Sequence, residues 1–207
     1  MTNPSRLAAR AVILAVALSA CTTLPGTASP EEYLDPTTAA TISIVGKPLV
    51  FAHERPERAA HMRDYVTLAA AAVNRSGKTD YVLVAYDWTT FDEHGRSGET
   101  AGATTAALVV AADDRRITLN LAGHSAHDVG IGTPVHPPPV GSATPDIYRT
   151  DLATMRFIAA ARHLAVLKQS DAATTAYQIW DDQRAALGVF VDLLSGGQEG
   201  RAGDLRR

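Results

Sequence analysis

The sequence predicts an α+β protein: an antiparallel, β-rich body of about six to eight strands, with two C-terminal helices packed on one face or end. Three observations predict it. Apolar and polar residues alternate from Thr41 onward, the period of a half-buried strand. Two long runs rich in β-branched and aromatic residues, Tyr65 to Val73 and Tyr81 to Phe91, flank the turn-forming Asn74-Arg75-Ser76-Gly77-Lys78. Helical spacing appears only after Asp151, so strands precede helices along the chain. A β-sandwich is the alternative, and the stripe Leu187, Phe190, Val191 and Leu194 speaks against a pure one.

The elements follow in order. Residues 21–36 are rich in Thr, Pro, Gly, Ser and Ala and are expected to form a flexible tether. A single domain is expected over residues 37–195. Thr41-Ile42-Ser43-Ile44 reads as a strand with both isoleucines on one face, and Pro48 opens another from Leu49 to His53. Charges and Pro56 make Arg55 to Arg63 a loop. In Tyr81 to Phe91, Val82, Val84, Tyr86 and Trp88 share one face, opposite Tyr81, Leu83, Ala85 and Asp87. Both faces are largely apolar, so this strand is expected to be central in its sheet. Thr104 to Ala111 and Ile117 to Leu121 form a hairpin around a solvated Asp113-Asp114-Arg115-Arg116 tip. Gly123 to Asp146 is irregular, and a loop of that length inside a domain is either functional or mobile. Ile147 to Arg149 is a short strand, and Asp151 caps a helix from Leu152 to Arg162. Leu164 to Leu167 and Thr175 to Trp180 pair around Ser170-Asp171-Ala172. Asp181 caps the second helix, Gly196-Gly197 stops it, and residues 196–207 are expected to be a polar, disordered tail.

The N-terminus carries the chain's clearest address. Arg6 and Arg10 precede an apolar run, Ala11 to Leu18, and small residues lead to Cys21. A basic region, a short apolar core and a small-residue cut site describe a secretory signal peptide over residues 1–20. Leu18-Ser19-Ala20-Cys21 resembles the lipobox of bacterial lipoproteins. That resemblance implies cleavage before Cys21 and lipidation there by a diacylglycerol and an N-linked acyl chain such as palmitate. Cys21 is the chain's single cysteine, so the domain folds without a disulfide even in a compartment that permits one. Thr22 follows it, and the lipoprotein pattern then implies the outer membrane, facing the periplasm. The formal charge is −3, and loss of Arg6 and Arg10 makes it more negative, a poor match to nucleic acid.

Glu31-Glu32-Tyr33-Leu34-Asp35, Pro48-Leu49-Val50-Phe51-Ala52 and Asp64-Tyr65 through Val73-Asn74-Arg75-Ser76-Gly77 are similar to a group of small proteobacterial outer-membrane lipoproteins. The similarity covers mainly Glu31 to Phe91, implies a lipidated, β-rich domain, and transfers no catalytic residue.

Candidate chemistry is sparse. His124, His127, Asp128 and His136 offer imidazoles and a carboxylate within one loop, sound ligands for zinc, though solvated loop residues would look the same. Tyr86 and Trp88 alternate onto one face and could line a binding groove, although core packing is the commoner use of such residues. No Gly-x-Ser-x-Gly elbow and no phosphate-cradling glycine loop occurs. The expectation is therefore a lipid-anchored envelope protein acting as a non-enzymatic interaction or assembly accessory for another envelope protein. A periplasmic metal-binding protein using residues 124–136 is the first alternative, and a hydrolase the second.

Overall fold

A computed structural model describes residues 29–90, 107–141, 143–169 and 174–204, without the side chains of 197–204. The signal segment and Cys21 lie outside the described residues, as do Phe91 and the 92–95, 104–106 and 170–172 parts of the expected turns and strands.

Among the described residues ten strands make one antiparallel sheet: β1 (Glu31–Leu34), β2 (Thr41–Ile44), β3 (Leu49–Glu54), β4 (Arg63–Arg75), β5 (Lys78–Thr89), β6 (Ala107–Ala112), β7 (Arg115–Gly123), β8 (Pro145–Thr150), β9 (Leu164–Gln169) and β10 (Thr174–Asp181). Two helices accompany them, α1 (Leu152–Ala160) and α2 (Arg184–Asp204). The sheet order runs β1-β2-β4-β3-β10-β9-β6-β7-β8-β5, and β5 also pairs along its length with β4. That last pairing closes β3 to β10 into an eight-stranded barrel. The β-rich body with two helices is as expected, but the sandwich alternative is corrected. With β5 hydrogen-bonded to β4 on one edge and β8 on the other, the described residues contain no second sheet to stack.

Local chemistry explains the closure. Arg75 opposes Lys78 across a two-residue turn in which Ser76 (φ 51°) and Gly77 (φ 87°) both take positive φ, the turn whose twist suits a hairpin. Asn74 Oδ1 accepts from Gly77 N at 3.2 Å. Strand β4 is long enough for two neighbours on its other edge. Arg63 to Leu68 pair with β3, and Ala71 to Asn74 pair with β2. Between them Val45 N donates to Ala70 O at 2.9 Å, and the alanine run lets the chain approach closely on both faces.

Alternation then sorts the side chains. Leu49, Phe51, Val66, Leu68, Leu83, Leu108, Val110, Leu119, Tyr148, Val166 and Tyr177 point inward and form one buried cluster drawn from all eight barrel strands. An eight-stranded barrel is just wide enough to be filled by its own side chains. Met155 and Ile158 of α1 and Ala186, Leu187, Phe190 and Val191 of α2 complete that cluster. Both helices stand where β8 and β10 finish and β9 begins, so they plug one end of the barrel. A cavity of about 10 Å³ remains there, lined by Val45, Leu49, Leu68, Ile158 and Leu187 among others. No helix among the described residues is long and apolar enough to cross a membrane.

A second, smaller core lies outside the barrel wall. The β1–β2 hairpin and the chain from Ala126 to Ala143 cover Ala71, Val73, Val82, Val84, Tyr86 and Ile147 with Ile42, Ile44, Ile131 and Val135. Three sequence expectations change here and at the C-terminus. Glu31 to Leu34 belong to the sheet rather than the tether, because Tyr33 and its neighbours pair with β2 and Ser43 Oγ donates to Glu32 Oε2 at 3.0 Å. Asp181 closes β10, and the start of α2 is served instead by Asp182, which accepts from Arg184 N at 3.1 Å. Helix α2 runs through Gly196-Gly197 to Asp204, in place of a disordered tail over that stretch. Once a dozen packed residues have nucleated a helix, each glycine costs only ~1 kcal/mol and need not stop it. Asp151 does cap α1 as expected, accepting from Thr154 N at 2.7 Å, but the helix ends at Ala160, two residues short.

Candidate functional site

The barrel end opposite the helices is polar, and its position follows from the same alternation. Going outward along the inward-facing positions, the side chains change from leucine, valine and phenylalanine to His53 on β3, Asp64 on β4, Asp87 and Thr89 on β5, Asp146 on β8, and Lys168 and Thr175 on β9 and β10. Strands β5 and β9 are four steps apart around the barrel in either direction, so they face one another across its diameter. Lys168 reaches over that diameter to donate to Asp87 Oδ2, an ion pair across the mouth. Lys168 Nζ also lies 5.8 Å from the centre of the Tyr177 ring, and the His53 ring lies tilted against the same ring, 5.5 Å between centres, with its Nδ1 3.2 Å from Ala176 O.

Two further ion pairs line this mouth. Arg55 Nη1 meets Asp64 Oδ2 at 2.5 Å, and His124 Nδ1 meets Asp146 Oδ1 at 2.7 Å. Asp87 Oδ1 is buried and has no hydrogen-bond partner among the described residues. Burial, followed by the charges of Asp64 and Asp87, pushes the Tyr177 hydroxyl up to about 12. Burial likewise raises Tyr148, helped by the charges of Asp146 and Asp87 and a hydrogen bond to Asp146. Both phenols therefore stay neutral at physiological pH.

The residues singled out in the sequence are distributed differently. His124 sits at the mouth. Asp128 accepts from His124 N at 2.8 Å and Ser125 N at 3.0 Å, capping a short 3-10 helix (Ala126–Val129), and those backbone bonds hold its carboxyl below the usual range. His127 is exposed on that turn. His136 is part-buried on the outer wall, where desolvation lowers its pKa, and its carbonyl accepts from Tyr86 OH at 2.8 Å. His124, Asp128 and His136 thus have different partners, and among the described residues no three His, Cys, Asp or Glu side chains form a group that could hold a metal.

Tyr86 and Trp88 share the outward face of β5, as their alternation requires, but meet different surroundings. Tyr86 is buried beneath the loop. Trp88 stacks on Tyr65 at 4.1 Å between ring centres, and its Nε1 donates to Thr67 Oγ1 at 2.9 Å. Across β3, where Ala52 leaves room, Trp180 stands edge-on to Tyr65 at 6.1 Å, and the Arg63 guanidinium lies 4.6 Å over the Trp180 ring. Trp180 is 56% exposed. Sequence reasoning missed this row: Tyr65 and Trp88 face one another across the β4–β5 hairpin, but Trp180 reaches them only through the long-range pairing of β10 with β3. Asp113 was also misjudged. Rather than being merely a solvated tip, its Oδ1 accepts from Arg162 N and His163 N at 2.9 Å each and ties that hairpin to the start of β9.

The fold is an eight-stranded antiparallel barrel, plugged by helices at one end and polar at the other, with an aromatic row on its outer wall. No protein-family model, curated protein or solved structure matches the chain.

Proposed function

We propose that the chain is a lipid-anchored envelope protein, held at the outer membrane facing the periplasm, which acts as a non-enzymatic interaction or assembly accessory. The observation that supports this reading best is the row Trp88, Tyr65 and Trp180 on the outer wall, ending in a tryptophan that is more than half exposed. Tryptophan and arginine held rigid on an exposed sheet are typical anchors of protein contacts. The partner is an envelope protein. The lipobox supplies the anchor, and several acyl chains at ~0.8 kcal/mol per buried methylene make it effectively permanent.

Two variants test the reading together. Cys21→Ser is expected to move the protein from the membrane fraction to the soluble fraction and to leave its precursor uncut. A photo-crosslinking residue at Gln178, beside Trp180, is expected to capture an envelope protein, and Trp180→Ala to abolish the capture. Continued membrane fractionation of Cys21→Ser would remove the anchor. Unchanged capture with Trp180→Ala would remove the surface.

A hydrolase is the second reading, favoured by one observation, the 2.7 Å pairing of His124 with Asp146 at the barrel mouth. A carboxylate that orients a histidine leaves its other nitrogen to act as a general base. His124→Ala is then expected to lower hydrolysis of activated esters by about 100-fold or more. An unmodified protein that hydrolyses them no faster than buffer ends this reading.

A further inference from the structure

We infer that the plugged end of the barrel docks on the surface of a bilayer carrying anionic headgroups, with Val189 and Leu193 of α2 seated where headgroups meet acyl chains. Among the described residues four large hydrophobic side chains are exposed: Leu34, Trp180, Val189 and Leu193. Leu34 shares β1 with Glu31 and Glu32, and Trp180 is followed by Asp181 and Asp182. The α2 pair has different neighbours. Val189 (42% exposed) and Leu193 (54%) lie one helical turn apart, and with exposed Ala185 a turn earlier they form one outward stripe. Arg156 of α1 reaches across to donate to Ser195 Oγ at 2.6 Å, and Arg115 lies 4.4 Å over the Phe157 ring of α1. Neither arginine makes an ion pair among the described residues, and Asp192 is the exposed carboxylate beside the stripe. Apolar side chains on a helix, rimmed by arginine, suit a membrane interface, where the chains enter the boundary and the guanidinium groups meet phosphate.

Area and reach choose the bilayer over a second copy of the chain. A half-exposed valine and leucine fall far short of the ~800 Å² per partner that a stable dimer buries. A tethered surface needs less contact, because the tether makes docking intramolecular and raises the effective concentration. This step rests on the lipid anchor proposed above. Residues 21–30 separate that anchor from β1, a span of at most ~35 Å when fully extended. Strand β1 joins the sheet at the height of the plug. The pairings Glu31 with Ile44, Ile44 with Ala71, Ala71 with Val82 and Val82 with Arg149 run in one row, and Asp151, two residues on, caps α1. The anchor thus keeps the bilayer within reach of the helices. Docked in this way, the barrel turns its polar mouth from the membrane.

The test places full-length lipidated protein in vesicles of phosphatidylethanolamine and phosphatidylglycerol that contain a nitroxide-labelled lipid. Acylation occupies the sulfur of Cys21, so in Ala185→Cys the new residue is the free thiol that takes a fluorophore. Ala60→Cys, in the exposed loop between β3 and β4 at the mouth, is the comparison. The expected result is loss of fluorescence to the nitroxide lipid at 185 and not at 60. Adding Val189→Ser and Leu193→Ser is expected to abolish that loss, and vesicles of phosphatidylcholine alone to weaken it. Quenching at 185 no greater than at 60, or unchanged by either alteration, overturns the proposal. So does a probe at 185 shielded from water yet untouched by the nitroxide lipid, since a protein then covers this face. Should the double serine variant misfold, the comparison of 185 with 60 in the otherwise unchanged chain decides. Two labels per chain with no vesicle flotation would remove the anchor and the docking together. One label, flotation and an unquenched probe at 185 would remove the docking alone.

Discussion

Phe190→Ala is expected to cost about 3–5 kcal/mol and to open the plugged end of the barrel. Phe190 is fully buried on α2, in one cluster with Leu187 and Val191 of its own helix and with Phe51, Val66 and Val110 of the barrel wall. Truncation removes the transfer free energy of the ring and leaves a void that these strands, held by hydrogen bonds on both edges, are poorly able to collapse into. For a domain of this size the loss corresponds to a fall in Tm of roughly 10 °C, read by calorimetry, with dye binding at the exposed apolar end. Leu193→Ala is the internal control. Leu193 is exposed on the same helix, and its loss is expected to stay within about 0.5 kcal/mol. Equal effects of the two substitutions would mean that α2 does not close the barrel.

The contrast between Phe190 and Leu193 also shows what was legible in the sequence. The stripe Leu187, Phe190, Val191 and Leu194 marks the inward face of α2 directly, because helical spacing is a local property. The two faces of β5 were equally legible, since alternation puts Leu83 and Ala85 inward and Val82, Val84 and Tyr86 outward wherever the strand is paired. Barrel closure was not. It depends on β5 meeting β8 across some sixty residues and on β9 meeting β6, and nothing in either strand names its partner. The polar mouth fell with it. Asp87 and Lys168 each read as an isolated charge near a strand end, and only closure sets them on opposite walls of one interior. For the histidine loop the obstacle was different. Ligand-type residues close in sequence carry no record of what their side chains are already holding, and Asp128 is holding two backbone amides.

Asp35 makes the second large prediction, and here too composition misled, since residues 21–36 read as a tether. Its carboxylate is fully buried and accepts from Gly132 N, from Thr37 N at 2.9 Å and from Thr38 Oγ1 at 2.9 Å. It therefore bolts the β1–β2 hairpin to the loop that covers Tyr86. The fit is close enough that a Cβ on Gly132 would come within 2.8 Å of Asp35 Oδ1, so this glycine is required by approach rather than by turn geometry. In Asp35→Asn one acceptor oxygen becomes an NH₂ group facing donors, and the bolt is lost. The outer core is expected to loosen while the barrel remains. Amide exchange at Ile42 and Ile131 should accelerate by about tenfold or more, with Val66 and Val110 unaffected. The pH dependence follows from the same bonds. The Gly132 amide foremost, then Thr37 and Thr38, hold the Asp35 pKa below its ordinary 3.8 against the opposing effect of burial. A folded-state pKa below the unfolded one means stability that is present above 3.8 and is lost as pH falls through the folded value. The wild-type outer core should therefore lose protection on acidification below about pH 4, whereas Asp35→Asn lacks that step. Identical acid profiles for the two proteins at Ile42 and Ile131 would show that the hairpin is held by apolar packing alone.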